Sequence, residues 1–591
     1  MACLIKKYLF LYKNSTIQLL LSIFCSTNVA AQQAPYINII NPSKQINQVA
    51  NTKQFIIGNT CKNCVLTINS KPVKVYTTGA FAMEINLLTG DTTLDIRAEN
   101  EAKVVSKKIS FLYSPTKLPT AVTAFDIENI QIFPEGNLIV SPGDIVKFKV
   151  KALPNCTVKI SDNIALFEMP PQLTNGLKGT YQAEYTIKET DTFNAKKIKA
   201  VIIDSFGNKK EKYTSTTIQS MHTLLYDVAI TKGKLAHLEF GLGDDRLGGA
   251  KIGYLDSNIL LKIIGKVGTH FKIKLAKNRI AYIPEELVNL LPKGSFAPES
   301  LTAKCTVYGD EDFDYVKLAL FNKLPYQSAQ QINPSTITVD IFGATNNTNW
   351  ITHLQSAQEI KYVDYEQITD DIFRLTIQLK HAQHWGHQIN YVGNNLVIKV
   401  KRQPANVSLK NLIIAIDAGH GGTNNGAVGA TGVYEKELTL ALSIQLQTAL
   451  QKEGATVIMT RSKEQFFDNK ERILFYRDSM PDLLLSIHLN SSEDPFKTSG
   501  TSTFYRYIGF KPLSNFIYKR MLQLGLKDYG NNGSFNFMLN SPIEYPNALI
   551  ETLFLSNLEE EEKILDVNFR AAMADKIVLG VKDFLENCKE K

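Results

Sequence analysis

The chain has 591 residues, too many for one core and enough for three to five domains at roughly 150 residues each. Hydrophobic residues make up 44% and charged residues 21%, ordinary values that exclude disordered and fibrous classes. The net charge of +8 is uneven, because residues from 411 onward carry 19 basic and 23 acidic side chains and the rest therefore carries +12; no stretch interleaves clustered Lys and Arg with aromatics, which excludes a nucleic-acid footprint.

Residues 1–31 predict an export signal. Lys6, Lys7 and Lys13 precede an apolar run at 19–25, and small residues follow at Val29 and Ala31, the order expected of a signal cleaved after Ala31. The run is too short to anchor in a bilayer, and no later segment has eighteen apolar residues in a row. The mature chain is therefore expected outside the cytoplasm without a transmembrane anchor. Cys25 follows Phe24, which is too bulky for a lipidation box. Of seven cysteines, Cys3 and Cys25 leave with the signal, and the remaining five are too sparse for a disulfide framework. Cys61-Lys62-Asn63-Cys64 fits a local disulfide, a redox pair or half a zinc site. With no second such pair and no nearby His, a structural role is favoured.

Next in chain order, residues 35–220 read as β throughout. Alternating runs such as Val65-Leu66-Thr67-Ile68 and Leu94-Asp95-Ile96-Arg97-Ala98 are separated by turn signals at Asn69-Ser70, Thr78-Gly79 and Gly90-Asp91. That spacing predicts two sandwiches, 35–115 and 116–220, and the first resembles the immunoglobulin-like modules of bacterial surface enzymes. Residues 221–297 space glycines closely between short strands, at Gly248-Gly249, Gly253, Gly265 and Gly268, and resemble a bacterial SH3-like barrel. Residues 298–402 alternate through Val316/Leu318/Leu320, Ile337/Val339/Ile341 and Leu396/Ile398/Val400, which resembles an AMIN-type sandwich. A linker at 403–410 follows.

At Leu412 the texture changes. An apolar run at 412–416 ends in Asp417-Ala418-Gly419-His420-Gly421-Gly422, and a helical stripe follows at Leu438, Leu442, Leu446 and Leu450, closing at Gly454. Strand-like runs at 455–460, 483–487, 501–505 and 548–554 alternate with helical stretches, so 411–587 is predicted to be an α/β domain with a largely parallel sheet. Only two of the nine histidines lie beyond residue 410. Both His420 and His488 end predicted buried strands, where open α/β sheets place their binding crevice. With Glu435, which opens the first helix, they supply two imidazoles and a carboxylate, a catalytic zinc set with one position left open. Glu551 is a lone carboxylate inside an apolar strand, costly to bury unless it is paired or works at a site. The acidic run at 559–562 reads as a solvated helix start. His381, His384 and His387 form a second run, but a spacing of three alternates faces along a strand and makes a poor chelator.

Together these motifs resemble the zinc-dependent N-acetylmuramoyl-L-alanine amidases, the AmiC-like autolysins. Four separated segments of 411–587 occur in the family's order: 417–422 with Gly426-Ala427-Val428-Gly429, then Glu435-Lys436, then 486–491, then 548–557. The resemblance implies that His420, Glu435 and His488 hold zinc and that Glu551 is catalytic. Arg472 matches a recurring family arginine and, with Asn490, is expected to touch substrate. Asn424 stands where the family often has Asp, Leu489 replaces a small residue, and Leu553 and Leu558 replace Gly and Pro. The implied reaction is hydrolysis of the amide between N-acetylmuramic acid and L-alanine in peptidoglycan, in the periplasm or at the cell wall. The β modules are expected to dock on the wall or on a divisome protein, to which the basic surplus of residues 1–410 is suited. Two rivals are a wall-binding scaffold with an inactive amidase domain and a zinc peptidase acting on the stem peptide; no His-Glu-x-x-His helix supports the latter. Residues 507–547 are too few for an inhibitory plug. A 408–591 fragment is accordingly expected to turn over a small muropeptide as fast as the full chain.

Overall fold

The computed structural model describes residues 34–101, 103–115, 120–161, 163–221, 228–243, 245 and 247–589; the predicted export signal lies outside them. The first module packs a three-stranded sheet (Ile37–Asn41, Lys53–Thr60, Ala80–Asn86) against a five-stranded one led by Gly90–Asn100 and Lys103–Tyr113. Ile56, Leu66, Phe81, Ile96 and Phe111 fill the space between them. Cys61 and Cys64 are joined as a disulfide with Cα atoms 5.2 Å apart, and both sulfurs sit in that core. Of the three readings the spacing allowed, the local disulfide is the one present.

The second module spans strands Ile127–Phe133 to Lys209–Ser220 around Phe148, Val150, Tyr181 and Ile202. Its strand Leu138–Val140 pairs in parallel with Lys209–Ser220 and antiparallel with Leu260–Val267 of the third module. The sheet therefore runs across the expected boundary at 220. The third module, from Val228–Thr231 to Val288–Leu290, in turn shares one apolar core with the fourth, where Leu261 and Ile273 belong to the same cluster as Val316, Leu318 and Ile377. Strict alternation produces this packing, since every second residue of Phe313–Leu320 and of Ile372–Leu379 faces inward.

The final domain is a six-stranded sheet in the order Thr456–Met459, Ile413–Ala418, Leu483–Asn490, Asn547–Phe554, Thr501–Phe504, Asp528–Asn532. The first four strands are mutually parallel, and Thr501–Phe504 runs antiparallel to Asn547–Phe554. Helices α1 (Glu435–Lys452), α2 (Asn469–Ser479), α3 (Lys511–Leu522), α4 (Leu558–Leu565) and α5 (Val567–Lys589) cover it. The predicted stripe of Leu438, Leu442, Leu446 and Leu450 is the buried face of α1. Among the described residues no helix is long and apolar enough to cross a membrane.

One sequence expectation is overturned here. The 559–562 run is not wholly solvated, since Glu560 is 4% and Glu561 0% exposed. Glu560 accepts hydrogen bonds from Gly500 N and Phe554 N, and Glu561 accepts from the backbone and hydroxyl of Thr431. The two acids serve as acceptors for loop ends that would otherwise be buried unpaired. Burial pushes the pKa of both carboxyls up.

His381, His384 and His387 lie where the fourth module meets the final domain. His381 Nδ1 sits 2.7 Å from Glu359, His384 Nε2 lies 2.9 Å from Gln331 O, and His387 Nε2 lies 2.9 Å from Ser328 Oγ. They point to three separate partners and do not converge. Between them Trp385, 2% exposed, enters the core of the final domain with its ring 5.9 Å from that of Phe584. Gly386 follows at φ +107°, where an added Cβ would stand 2.2 Å from Glu544 O. We expect Trp385→Ala to lower stability by about 3–5 kcal/mol, the cost of emptying a large aromatic site. Calorimetry on the full chain should show the transition of the final domain shifted down.

Candidate metal centre and catalytic cleft

The centre is built at the ends of three neighbouring elements. Ile413–Ala418 carries Asp417 one residue before its end and delivers His420 two residues beyond the sheet; Leu483–Asn490 carries His488; α1 opens on Glu435. Glu435 is 3% exposed. Its Oε2 lies 3.0 Å from His420 Nε2 and its Oε1 lies 3.1 Å from His488 Nδ1. All three donor atoms fall within 4.8 Å of one another, and among the described residues this is the group of such ligands that could hold a metal ion. Glu551 stands opposite His488 in the parallel register of Asn547–Phe554 and lines the same cleft.

Backbone geometry makes room for this convergence. A Cβ on Gly419 would come within 2.5 Å of the His488 ring, and one on Gly426 within 2.4 Å of Glu435 Oε2. His420 itself is left-handed at φ +61°, a conformation that costs a residue with a side chain about 1–3 kcal/mol. Arg472 opposes that cost. From α2, started by the Asp468/Glu471 capping box, its guanidinium donates to Asp417 Oδ1 at 2.6 Å, to Ala418 O at 2.8 Å, to Phe467 O at 3.2 Å and to His420 O. Asp417 Oδ2 accepts from Ser486 Oγ at 2.8 Å. Arg461 holds the next carbonyls, those of Ala418 and Gly419. Asn424, where the family often has Asp, places its Oδ1 3.0 Å from His420 Nδ1 and so orients that ring.

The charges reinforce one another. Burial works against the Glu435 carboxylate, but the two imidazoles hold its pKa well below the usual carboxylate range. Burial likewise opposes the His488 cation, and the hydrogen bond and charge of Glu435 outweigh it, raising His488 to about 8. Asp417, also desolvated, is held below its ordinary value by Arg472.

The cleft above the centre has a volume of about 650 Å³ and is lined by Asn490, Ser491, Phe467 and Asn469. Its far wall was not legible in the sequence. Residues 536–539 of the final domain form part of it, and Leu247 and Lys251 reach it from the third module. An irregular loop and a glycine-spaced hairpin carry no periodic signal that could have found them. Arg461 was missed as well, and Asp417, quoted in the motif at 417–422, was given no role. Because the third module contributes to the cleft, the 408–591 fragment lacks part of a wall, and the equal turnover expected of it no longer follows.

With Arg472 and Asp417 exposed by 2% and 1%, Arg472→Met leaves a buried carboxylate without its cation. Such a break costs about 3–5 kcal/mol, readable as a lowered urea midpoint. Adding Asp417→Asn should recover part of the loss, because the uncompensated charge goes with it.

Residues 414–583 match the N-acetylmuramoyl-L-alanine amidase family and residues 308–402 the AMIN domain. The chain is 30% identical over 198 residues to the germination-specific N-acetylmuramoyl-L-alanine amidase of Bacillus subtilis (strain 168), covering 30% of this chain and 82% of that protein. It is 26% identical over 219 residues to the N-acetylmuramoyl-L-alanine amidase AmiC of Escherichia coli O6:H1, covering 29% of this chain and 52% of AmiC. Among solved structures, the catalytic domain of CwlV, an N-acetylmuramoyl-L-alanine amidase from Bacillus (Paenibacillus) polymyxa var. colistinus, is 31% identical; the match covers 30% of this chain and 98% of that one, with a TM-score of 0.29. This chain belongs to the N-acetylmuramoyl-L-alanine amidase family and is a peptidoglycan amide hydrolase with an AMIN domain ahead of its catalytic domain.

Proposed function

We propose that the amide between N-acetylmuramic acid and L-alanine is hydrolysed at a zinc ion held by His420, Glu435 and His488, with Glu551 as the catalytic acid and base. One observation carries this reading: three N/O donors converge within 4.8 Å at the floor of a cleft, with Glu551 facing the same space from the adjacent strand. The donor set fits zinc, since two imidazoles and a carboxylate leave a fourth position for water or substrate. Zinc, when bound, supplies a Lewis acid and lowers the pKa of a water toward roughly 7.

The residues of the chain do the rest. Glu435 is aimed by the amides of Ala427 and Leu489, which donate to its two oxygens at 2.8 and 2.9 Å. His488 is held by Thr552, whose hydroxyl donates to its carbonyl at 3.1 Å. Glu551 accepts a proton from the attacking water and returns it to the L-alanine amine as the amide breaks. Asn490 remains a substrate contact at the cleft rim. Arg472 acts instead as a positioning residue, because its N–H groups are spent on Asp417 and the loop carbonyls. The first two modules are read as immunoglobulin-like and the third as SH3-like, holding the catalytic domain at the wall outside the cytoplasm after export. The inactive-scaffold and stem-peptidase readings each lack a supporting feature at this site, where every ligand and the base are present.

Glu551→Gln should lower kcat roughly 10²-fold or more while zinc content stays at the wild-type level, as expected when a positioned proton-transfer group is removed. His488→Ala should instead lose zinc. Mass spectrometry of digested wall fragments should detect stem peptides with free L-alanine amines. Shorter peptides would indicate a peptidase, and no release a scaffold. Weak zinc binding by Glu551→Gln with activity restored by excess metal would move Glu551 out of the base role.

A further inference from the structure

The wall of the cleft contributed by the third module contains an unusual side chain. Lys251 opens strand Lys251–Leu255, is 8% exposed, and lines the cavity that also holds His420, His488 and Glu551. Among the described residues no acceptor is within hydrogen-bonding or ion-pairing distance of its Nζ. Its nearest counter-charge, Glu239, is shared: His237 Nε2 and His270 Nε2 stand 3.5 and 3.6 Å from that carboxylate. Desolvation lowers the Lys251 pKa, Glu239 supports the charged form and Arg506 opposes it. An ammonium that faces the cleft without a partner is placed to meet an anion that enters it.

Lys251 is also held rigidly. Its amide donates to Asn536 Oδ1 at 3.3 Å, and its carbonyl accepts from Arg506. Asn536 Nδ2 donates to Gly249 O at 2.9 Å and Leu247 O at 3.2 Å, while Arg506 Nη1 donates to Asn536 Oδ1 at 2.9 Å. This joint pins the third module to the catalytic domain next to the cleft. A linker-borne module without such a joint would place its lysine at varying distances from the metal centre.

We propose that Lys251 is a specificity-determining residue that binds a carboxylate on the peptide side of the substrate. The proposal rests on the amidase reading above and adds to it the charge the peptide must carry. Cleavage releases a peptide whose new amine lies at the metal centre, so any carboxylate further along that peptide extends from the centre along the walls of the cleft. The carboxylate could be one carried along the peptide or the one at its C-terminus. Both present the same anion to the same ammonium.

The test uses the full chain and three soluble muramoyl-peptides: one with free carboxylates, one amidated at the internal carboxylate, and one amidated at the C-terminus. Wild type should prefer the free acid over one amidated form by about tenfold or more in kcat/KM, mainly through KM, and the disfavoured form identifies the carboxylate recognised. Lys251→Met should reduce that ratio to near one, and Lys251→Arg should keep most of it. An unchanged ratio in Lys251→Met overturns the proposal. So does a wild type indifferent to both amidations, a result that stands even where Lys251→Met fails to fold. If wild type released no L-alanine amine from any of the three, the amidase reading would fail and this proposal with it.

Discussion

The candidate metal centre depends on a buried ion pair between Asp417 and Arg472. As a source of stability such a pair is weak, because desolvating two charges consumes most of what their attraction returns. Its value is positional. Asp417, one residue before the end of one strand, takes a hydrogen bond from Ser486 on the next and receives Arg472 from α2. Arg472 spends its other N–H groups on Ala418, Phe467 and His420, and so keeps His420 in the left-handed conformation that aims its ring at Glu435. Two neighbouring strands and a helix more than fifty residues away meet at one carboxylate. Until α2 is packed, the first imidazole has no reason to stay where the site needs it.

A second constraint comes from the modules. Their seams with the catalytic domain are made by side chains that leave their own module. Trp385 fills a place in the catalytic core, Gly386 lets the chain pass against Glu544, and Asn536 and Arg506 clamp the hairpin of the third module. The continuous sheet across 220 and the core shared by the third and fourth modules make the region before the catalytic domain stiffer than a string of beads. A rigid path of this kind brings a residue as far back in the chain as Lys251 to the wall of the cleft that holds His420.

Much of this was legible in the sequence, for reasons that can be stated. Period-two runs such as those within Phe313–Leu320 and the leucine stripe of α1 report burial directly, so the strand-rich modules and the α/β domain could be read. The three candidate ligands stood out because histidines are scarce beyond residue 410 and both lie near the ends of buried strands. The acids at 559–562 were misread. Four consecutive carboxylates suggest water, yet a helix beginning against a loop can point two of them at unpaired amides of Gly500, Phe554 and Thr431. What Arg472 does was hidden for a related reason: sequence shows that an arginine is near the site, and only geometry shows its four hydrogen bonds to Phe467, Asp417, Ala418 and His420. Lys251 and Asn536 were invisible because their meaning lies in a contact nearly three hundred residues long.

The charge asymmetry between the two parts of the chain has an internal use as well as an external one. From sequence, the +12 of residues 1–410 points outward, toward a polyanionic wall. In the structure part of it faces the acidic catalytic domain. Lys401 of the fourth module lies 2.6 Å from Asp482, and Lys53 of the first lies 3.4 Å from Asp494. Neither pair contributes much to stability where solvent reaches it. Both sit beside larger apolar joints, however, Lys53 next to the Phe55–Phe496 ring pair and Lys401 next to the Trp385 segment. Weak pairs flanking an apolar joint choose among dockings that burial alone would leave nearly equal, since burial has no direction and charge does. The opposite signs of the two parts therefore help to set how the modules seat on the catalytic domain, and through that seat where Lys251 stands relative to the metal centre.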